Sequence, residues 1–137
     1  DLYAGVGFFS KAIENCTYMV TAVEGNNSAE YFARKNLEKT HFLSMEVEKC
    51  FKYIKSRKYD VVITDPPRAG MSATALDILL KISAGKIIYI SCCIDISIND
   101  IKFLCKNGYS IKSVKLFDMY PATINTEVVT ILEKELE

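Results

Sequence analysis

A short β-branched run that stops against two prolines constrains this chain more than any other feature. Val61, Val62 and Ile63 lead through Thr64 into Asp65, Pro66, Pro67, Arg68, Ala69 and Gly70. An apolar run of that length, bounded by turn formers, predicts a buried central strand from Asp60 to Thr64. The paired prolines remove two backbone donors and fix φ, so the chain leaves the sheet there in a stiff, extended turn. In open α/β sheets ligands sit just outside the carboxyl ends of the strands. Asp65 is therefore a candidate to face a substrate, and equally a solvated carboxylate on a surface turn.

The surrounding pattern alternates short strands with helical stretches. Asp1-Leu2-Tyr3 reads as the end of a strand, with a helix from Phe8 or Phe9 to about Asn15. Met19 to Val23 is a second strand ending in Glu24-Gly25. Asn26 or Asn27 can cap the next helix, where Ala29, Phe32, Ala33 and Leu37 fall at helical spacing. His41 to Leu43 is a short strand, and Val47 to Lys55 is helical. Ser72 can cap a helix carrying Ala75, Leu76, Leu79 and Leu80, ahead of a strand from Lys86 to Ser91. A helix from about Ser97, carrying Ile98, Ile101, Leu104 and Cys105, closes at Asn107-Gly108. Ser110 to Phe117 and Val128 to Glu133 are the last strands, with no helix between them. The alternation predicts an α/β, doubly wound sheet, mostly parallel, with an antiparallel strand near the C-terminus.

With 137 residues, half of them apolar, the chain can bury one domain's core. Its zero formal net charge gives no global pull towards nucleic acid or anionic membrane. The basic cluster Lys49, Lys52, Lys55, Arg57 and Lys58 reads as a solvated helix face. Five scattered cysteines and a single histidine, His41, form no zinc spacing, so no metal is expected. Free thiols point to a reducing cytoplasm. No apolar run reaches the ~20 residues of a membrane span. The absence of an initiator Met, and the shortness of the segment before Ala4-Gly5, suggest a fragment of a longer protein with its first strand truncated.

Gly5 and Gly7 stand where the first strand hands over to a helix, a place that lets a ligand approach backbone N–H groups and the helix N-terminus. Glu24, at the end of the next strand, can accept hydrogen bonds from ribose hydroxyls. Phe8 and Phe9 stand where a dinucleotide site would place its further glycine, which favours a nucleoside cofactor without pyrophosphate. Glu46, after the third strand, is a third acid on this rim, within reach of an adenine amino group or simply solvated.

Four blocks occur in order: Asp1-Leu2-Tyr3-Ala4-Gly5-Val6-Gly7-Phe8-Phe9-Ser10, Asp65 to Gly70, Tyr89-Ile90-Ser91-Cys92, and Asp118-Met119-Tyr120-Pro121-Ala122-Thr123 through Glu127-Val128-Val129. Together they resemble the RNA uracil-5 methyltransferases, which form 5-methyluridine in tRNA and ribosomal RNA using S-adenosylmethionine. The resemblance spans nearly the whole chain and implies a Rossmann-like catalytic domain covering residues 1–137. It assigns Asp1, Tyr3, the Gly5/Gly7 loop, Glu24, Glu46 and Asp65 to the cofactor. Asp65 also contacts the uracil, Cys92 is the nucleophile, Glu127 the base, and Arg68 and Asn125 meet the RNA. Family members also carry N-terminal RNA-binding segments, often with an iron–sulfur cluster, which have no counterpart in these residues.

The chemistry agrees. Uracil C5 is a poor nucleophile until a thiolate adds at C6, and a base must then remove the C5 proton so that the thiol can leave. Cys92, at a strand end before a helix and with Arg68 in the neighbouring block, suits an activated thiol. A buried core cysteine is the other reading, and Cys93 is the rival nucleophile. The target base must be unstacked to be reached. Three departures from the family pattern stand out: Cys93-Ile94 in place of Asn-Pro, Asn125 in place of His, and Ala4 in place of Cys. Cytosine-5 or N-methylation on the same fold, and a catalytically impaired cofactor- or RNA-binding domain, remain the alternatives.

Overall fold

The computed structural model describes residues 1–119, 121–122 and 126–135. The chain forms two compact units, Asp1–Ser56 and Arg57–Glu137.

In the first unit the residues before the glycines run beside a strand. Leu2 bridges Val23 in parallel, and Ala4 N–H donates to the Val23 carbonyl at 3.0 Å. Helix α1 (Phe8–Ile13) follows, then β1 (Thr21–Glu24), α2 (Asn27–Asn36), β2 (His41–Ser44) and α3 (Val47–Ile54). β1 and β2 pair in parallel, Glu24 opposite Ser44. Asn26 caps α2 as expected, its side chain accepting from Ser28 N–H. Buried Glu14 ties the unit together. Its carboxylate accepts from Glu38 N–H, Lys39 N–H and the Thr40 hydroxyl, and pairs with Lys11 at 2.8 Å. The Lys11 bond, with the other donors, holds its pKa at about 2.

The second unit contains β3 (Val61–Thr64), α4 (Ala73–Ile82), β4 (Lys86–Ser91), α5 (Ile94–Lys106), β5 (Tyr109–Phe117) and β6 (Glu127–Lys134). Its sheet order is β3-β4-β6-β5. β3 and β4 are parallel, whereas β6 inserts between β4 and β5 and pairs antiparallel with both. Leu79, Ile87, Leu104 and Leu132 are fully buried. Each such side chain contributes about 1.5–3 kcal/mol through its removal from water. Ser72 caps α4 by accepting from Ala75 N–H at 3.1 Å.

Most element ends fall within two residues of expectation, and α5 differs most. It begins at Ile94 rather than near Ser97, because the Ser97 hydroxyl donates back to the Ile94 carbonyl at 2.9 Å inside the helix instead of capping it. Among the described residues, no helix is long and apolar enough to cross a membrane.

Candidate functional site

In the first unit the candidate residues gather at the carboxyl ends of the strands. Gly7 has φ 85°, and a Cβ there would lie 2.8 Å from a Leu37 methyl, so the position needs glycine twice over. Above Gly5 nothing lies within 4 Å of where a Cβ would stand, leaving the backbone open to a ligand. Tyr3 also adopts a left-handed backbone, φ 61°, a conformation that costs an L-residue about 1–2 kcal/mol.

Two carboxylates fix this loop from either side. One Glu24 oxygen accepts from Gly5 N–H at 2.8 Å and the other from Asn26 N–H at 2.6 Å. Asp1 Oδ2 accepts from Ser10 N–H at 3.0 Å and from the Ser10 hydroxyl at 2.7 Å. Asp1 Oδ1 is buried without a hydrogen-bond partner, a position a ligand donor would satisfy. Each Glu24 oxygen retains a lone pair for a hydroxyl donor. The set therefore fits a polar nucleoside with a cationic or hydroxylic edge. Glu46 is exposed beside Gly25, with its carboxylate paired to Lys49 at 2.7 Å. Cys50, nearby in α3, is buried, and burial pushes its thiol pKa up to about 11, which makes it inert.

The second unit brings three further candidates to one end of its sheet. Thr64 pairs with Tyr89 and Ser91 with Val128. Asp65, Cys92 and Glu127 each stand one step beyond those pairs, at the same end of the adjacent strands β3, β4 and β6. Asp65 is exposed, and partial desolvation still raises its carboxyl pKa. Desolvation, reinforced by the Asp65 charge, raises that of half-buried Glu127.

Of the vicinal thiols, Cys92 is exposed and Cys93 is half-buried. The Ser91 hydroxyl donates to the Cys93 carbonyl and accepts from Cys93 N–H, both at 3.0 Å. That clamp commits Cys93 to the start of α5 and leaves the Cys92 side chain in the open. Arg68 is exposed on a turn closed by Gly70 N–H donating to the Pro67 carbonyl at 2.8 Å. Asn125 lies outside the described residues.

Sequence reasoning passed over three polar residues here. Ser10 fixes Asp1, Ser91 sorts the two thiols, and buried Asp100 accepts from the Tyr89 hydroxyl at 2.5 Å and from Met71 N–H at 2.8 Å. Ser10 and Ser91 lie inside the Asp1–Ser10 and Tyr89–Cys92 blocks. Asp100 gave no signal, because a polar residue midway along an amphipathic helix reads as its solvated face. Among the described residues, no group of three His, Cys, Asp or Glu side chains is placed to hold a metal.

The profile of the tRNA (uracil-5-)-methyltransferase family matches residues 45–135, from just before the Glu46 N-cap of α3 to just past the end of β6. The chain belongs to the tRNA (uracil-5-)-methyltransferase family. An uncharacterized RNA methyltransferase of Caldanaerobacter subterraneus is 34% identical over 98% of this chain and 31% of its own length. The 23S rRNA (uracil(1939)-C(5))-methyltransferase of Histophilus somni is 32% identical over 98% of this chain and 32% of its own. The chain thus spans about a third of these relatives. Among solved structures, the tRNA (uracil-54, C5)-methyltransferase of Pyrococcus abyssi in complex with S-adenosyl-L-homocysteine superposes with a TM-score of 0.84. It shares 30% identity, covering 96% of this chain and 32% of that one. Membership brings with it the α/β, Rossmann-like methyltransferase fold, mostly parallel, with β6 running antiparallel to both of its neighbours.

Proposed function

We propose that this chain is the S-adenosylmethionine-dependent catalytic part of an enzyme that methylates C5 of a uridine in tRNA or rRNA. The observation that carries the reading is the grouping of an exposed thiol, Cys92, with two carboxylates of raised pKa, Asp65 and Glu127, at one end of three adjacent strands.

In the first unit, Asp1, Tyr3, the Gly5/Gly7 backbone and Glu24 hold the cofactor, and Glu46 reaches its base edge. When bound, S-adenosylmethionine supplies an electrophilic methyl group. In the second unit Asp65 holds the edge of the uracil, and Arg68 offers a guanidinium to the RNA. Cys92 thiolate forms a C–S bond at C6, pushing the ring's electron pair onto C5, which can then take the methyl. Glu127, desolvated and repelled by Asp65, is a stronger base than a solvated carboxylate and removes the C5 proton. The electrons of the broken C–H bond re-form the ring double bond as the C6–S bond breaks and the thiolate leaves. RNA is the expected partner, and the free cysteines fit a reducing cytoplasm.

Mass analysis of nucleosides from RNA treated with the full-length enzyme and cofactor tests the reading. The expected product is 5-methyluridine. A 5-methylcytidine or N-methylated product would reassign the substrate, and cofactor binding without any methylated nucleoside would reduce the chain to a binding domain.

A further inference from the structure

We propose that Asp100 is a positioning residue that holds the Asp65 loop and the Cys92 turn in one fixed arrangement. The inference rests on the roles given above to Asp65 and Cys92.

Three elements meet at one buried oxygen. Asp100, 6% exposed, lies on α5, seven residues after the Cys93 N-cap. Its Oδ2 accepts from Met71 N–H, just past the loop that carries Asp65, and from the hydroxyl of Tyr89, three residues before Cys92 on β4. The same helix touches the loop again. At Gly70, φ 79°, a Cβ would lie 3.0 Å from Asp100 Oδ2 and 2.8 Å from the Ile96 Cγ2 methyl. The loop therefore presses so closely on α5 that only glycine fits.

The other end of the loop is fixed too. The buried Thr64 hydroxyl donates to the Met71 sulfur at 3.8 Å, and Pro66 is buried. Between these anchors, Asp65 and Arg68 have little freedom beyond their own side-chain torsions.

A buried carboxylate is an expensive way to fill space, and an apolar side chain of similar size would often serve the fold as well or better. What an apolar residue cannot do is orient Met71 N–H and Tyr89 O–H towards a common point. A misplacement of about 1 Å at a reacting group can cost about 100-fold in rate.

The test uses the full-length enzyme with RNA containing 5-fluorouridine, comparing wild type, Asp100→Asn, Asp100→Leu and Tyr89→Phe. The readouts are the rate of covalent adduct formation at saturating cofactor, the KM for RNA, cofactor affinity and melting temperature. Asp100→Leu is expected to slow adduct formation about 100-fold, with RNA KM and cofactor affinity within about twofold of wild type. Asp100→Asn keeps an acceptor for Met71 N–H and should recover most of the rate. Tyr89→Phe removes one donor and should slow the step roughly tenfold, which keeps the test decisive if the leucine variant does not fold. Wild-type rates in Asp100→Leu and Tyr89→Phe would overturn the inference. So would a parallel collapse of melting temperature, cofactor affinity and rate in Asp100→Asn and Tyr89→Phe, the mark of a purely structural residue. Failure of the wild type itself to form an adduct would instead remove the reading of Cys92 on which the inference stands.

Discussion

Asp65 and Glu127 flank β4 from opposite sides, and the negative charge of the first adds to desolvation in holding the second protonated to higher pH. A carboxylate pair of this kind separates two tasks that one acid could not perform. In the proposed reaction Asp65 would meet the N–H edge of the ring and Glu127 would take up and release the proton.

Asp65→Asn should therefore lower the Glu127 pKa, since it removes a repelling charge, though desolvation will keep part of the shift. A pH–rate profile of adduct resolution should move its acid limb to lower pH, with the rate itself reduced by the loss of the ring contact. The stability effect has a defined sign. Both carboxyls are raised in the folded state, so their contribution is present below the ordinary carboxylate range and lost as pH rises through the raised values. Melting temperatures should show Asp65→Asn gaining on wild type between acid and neutral pH. A constant difference across that range would mean that neither the desolvation of Asp65 nor its repulsion of Glu127 operates in solution.

Glu14 behaves in the opposite sense. Its pKa is lowered from 4.5 to about 2, so the stability it provides is present above 4.5 and disappears as pH falls towards 2. Glu14→Gln should lower the melting temperature at pH 7 and flatten the acid limb of the stability curve. An unchanged acid limb would show that the Lys11 pair and the Glu38–Thr40 contacts add nothing in solution.

Gly7→Ala should destabilise the protein by at least about 1 kcal/mol in urea unfolding, because alanine is strained at φ 85° and meets Leu37. Adding Leu37→Ala should recover the clash component and leave the backbone component, a coupling that a double-mutant cycle reads directly. Strict additivity would mean the loop had moved away from Leu37.

At the cofactor loop, Glu24→Ala strips the acceptor from Gly5 N–H and Asn26 N–H together. Calorimetry with S-adenosylhomocysteine should show affinity falling roughly tenfold or more, as expected for hydrogen bonds to a charged group. Glu46→Ala, which loses an exposed ion pair with Lys49, should change it far less. Equal losses would make the base edge, rather than the loop, the main source of affinity.

These residues were legible in the sequence to different degrees, for physical reasons. Gly5, Gly7, Glu24 and Asp65 stand at the ends of short apolar runs, where strand periodicity marks both the element and the direction of its carboxyl end. The insertion of β6 between β4 and β5 was only half visible. The missing helix signalled antiparallel pairing, but strand order depends on contacts far apart in the chain. Ser97 misled because a serine at a helix start can bond inward as well as cap. Asp100 was invisible for the same reason as β6: its partners Met71 N–H and the Tyr89 hydroxyl lie 29 and 11 residues away, and nothing local encodes them.

The proposed reaction stands or falls on attack of the Cys92 sulfur on the pyrimidine. Full-length enzyme incubated with 5-fluorouridine RNA and S-adenosylmethionine, then digested and mapped by mass spectrometry, tests it most directly. A methylated fluorouridine adduct is expected on the peptide containing Cys92, lost in Cys92→Ala and kept in Cys93→Ala. An adduct that survives Cys92→Ala and vanishes in Cys93→Ala would contradict it.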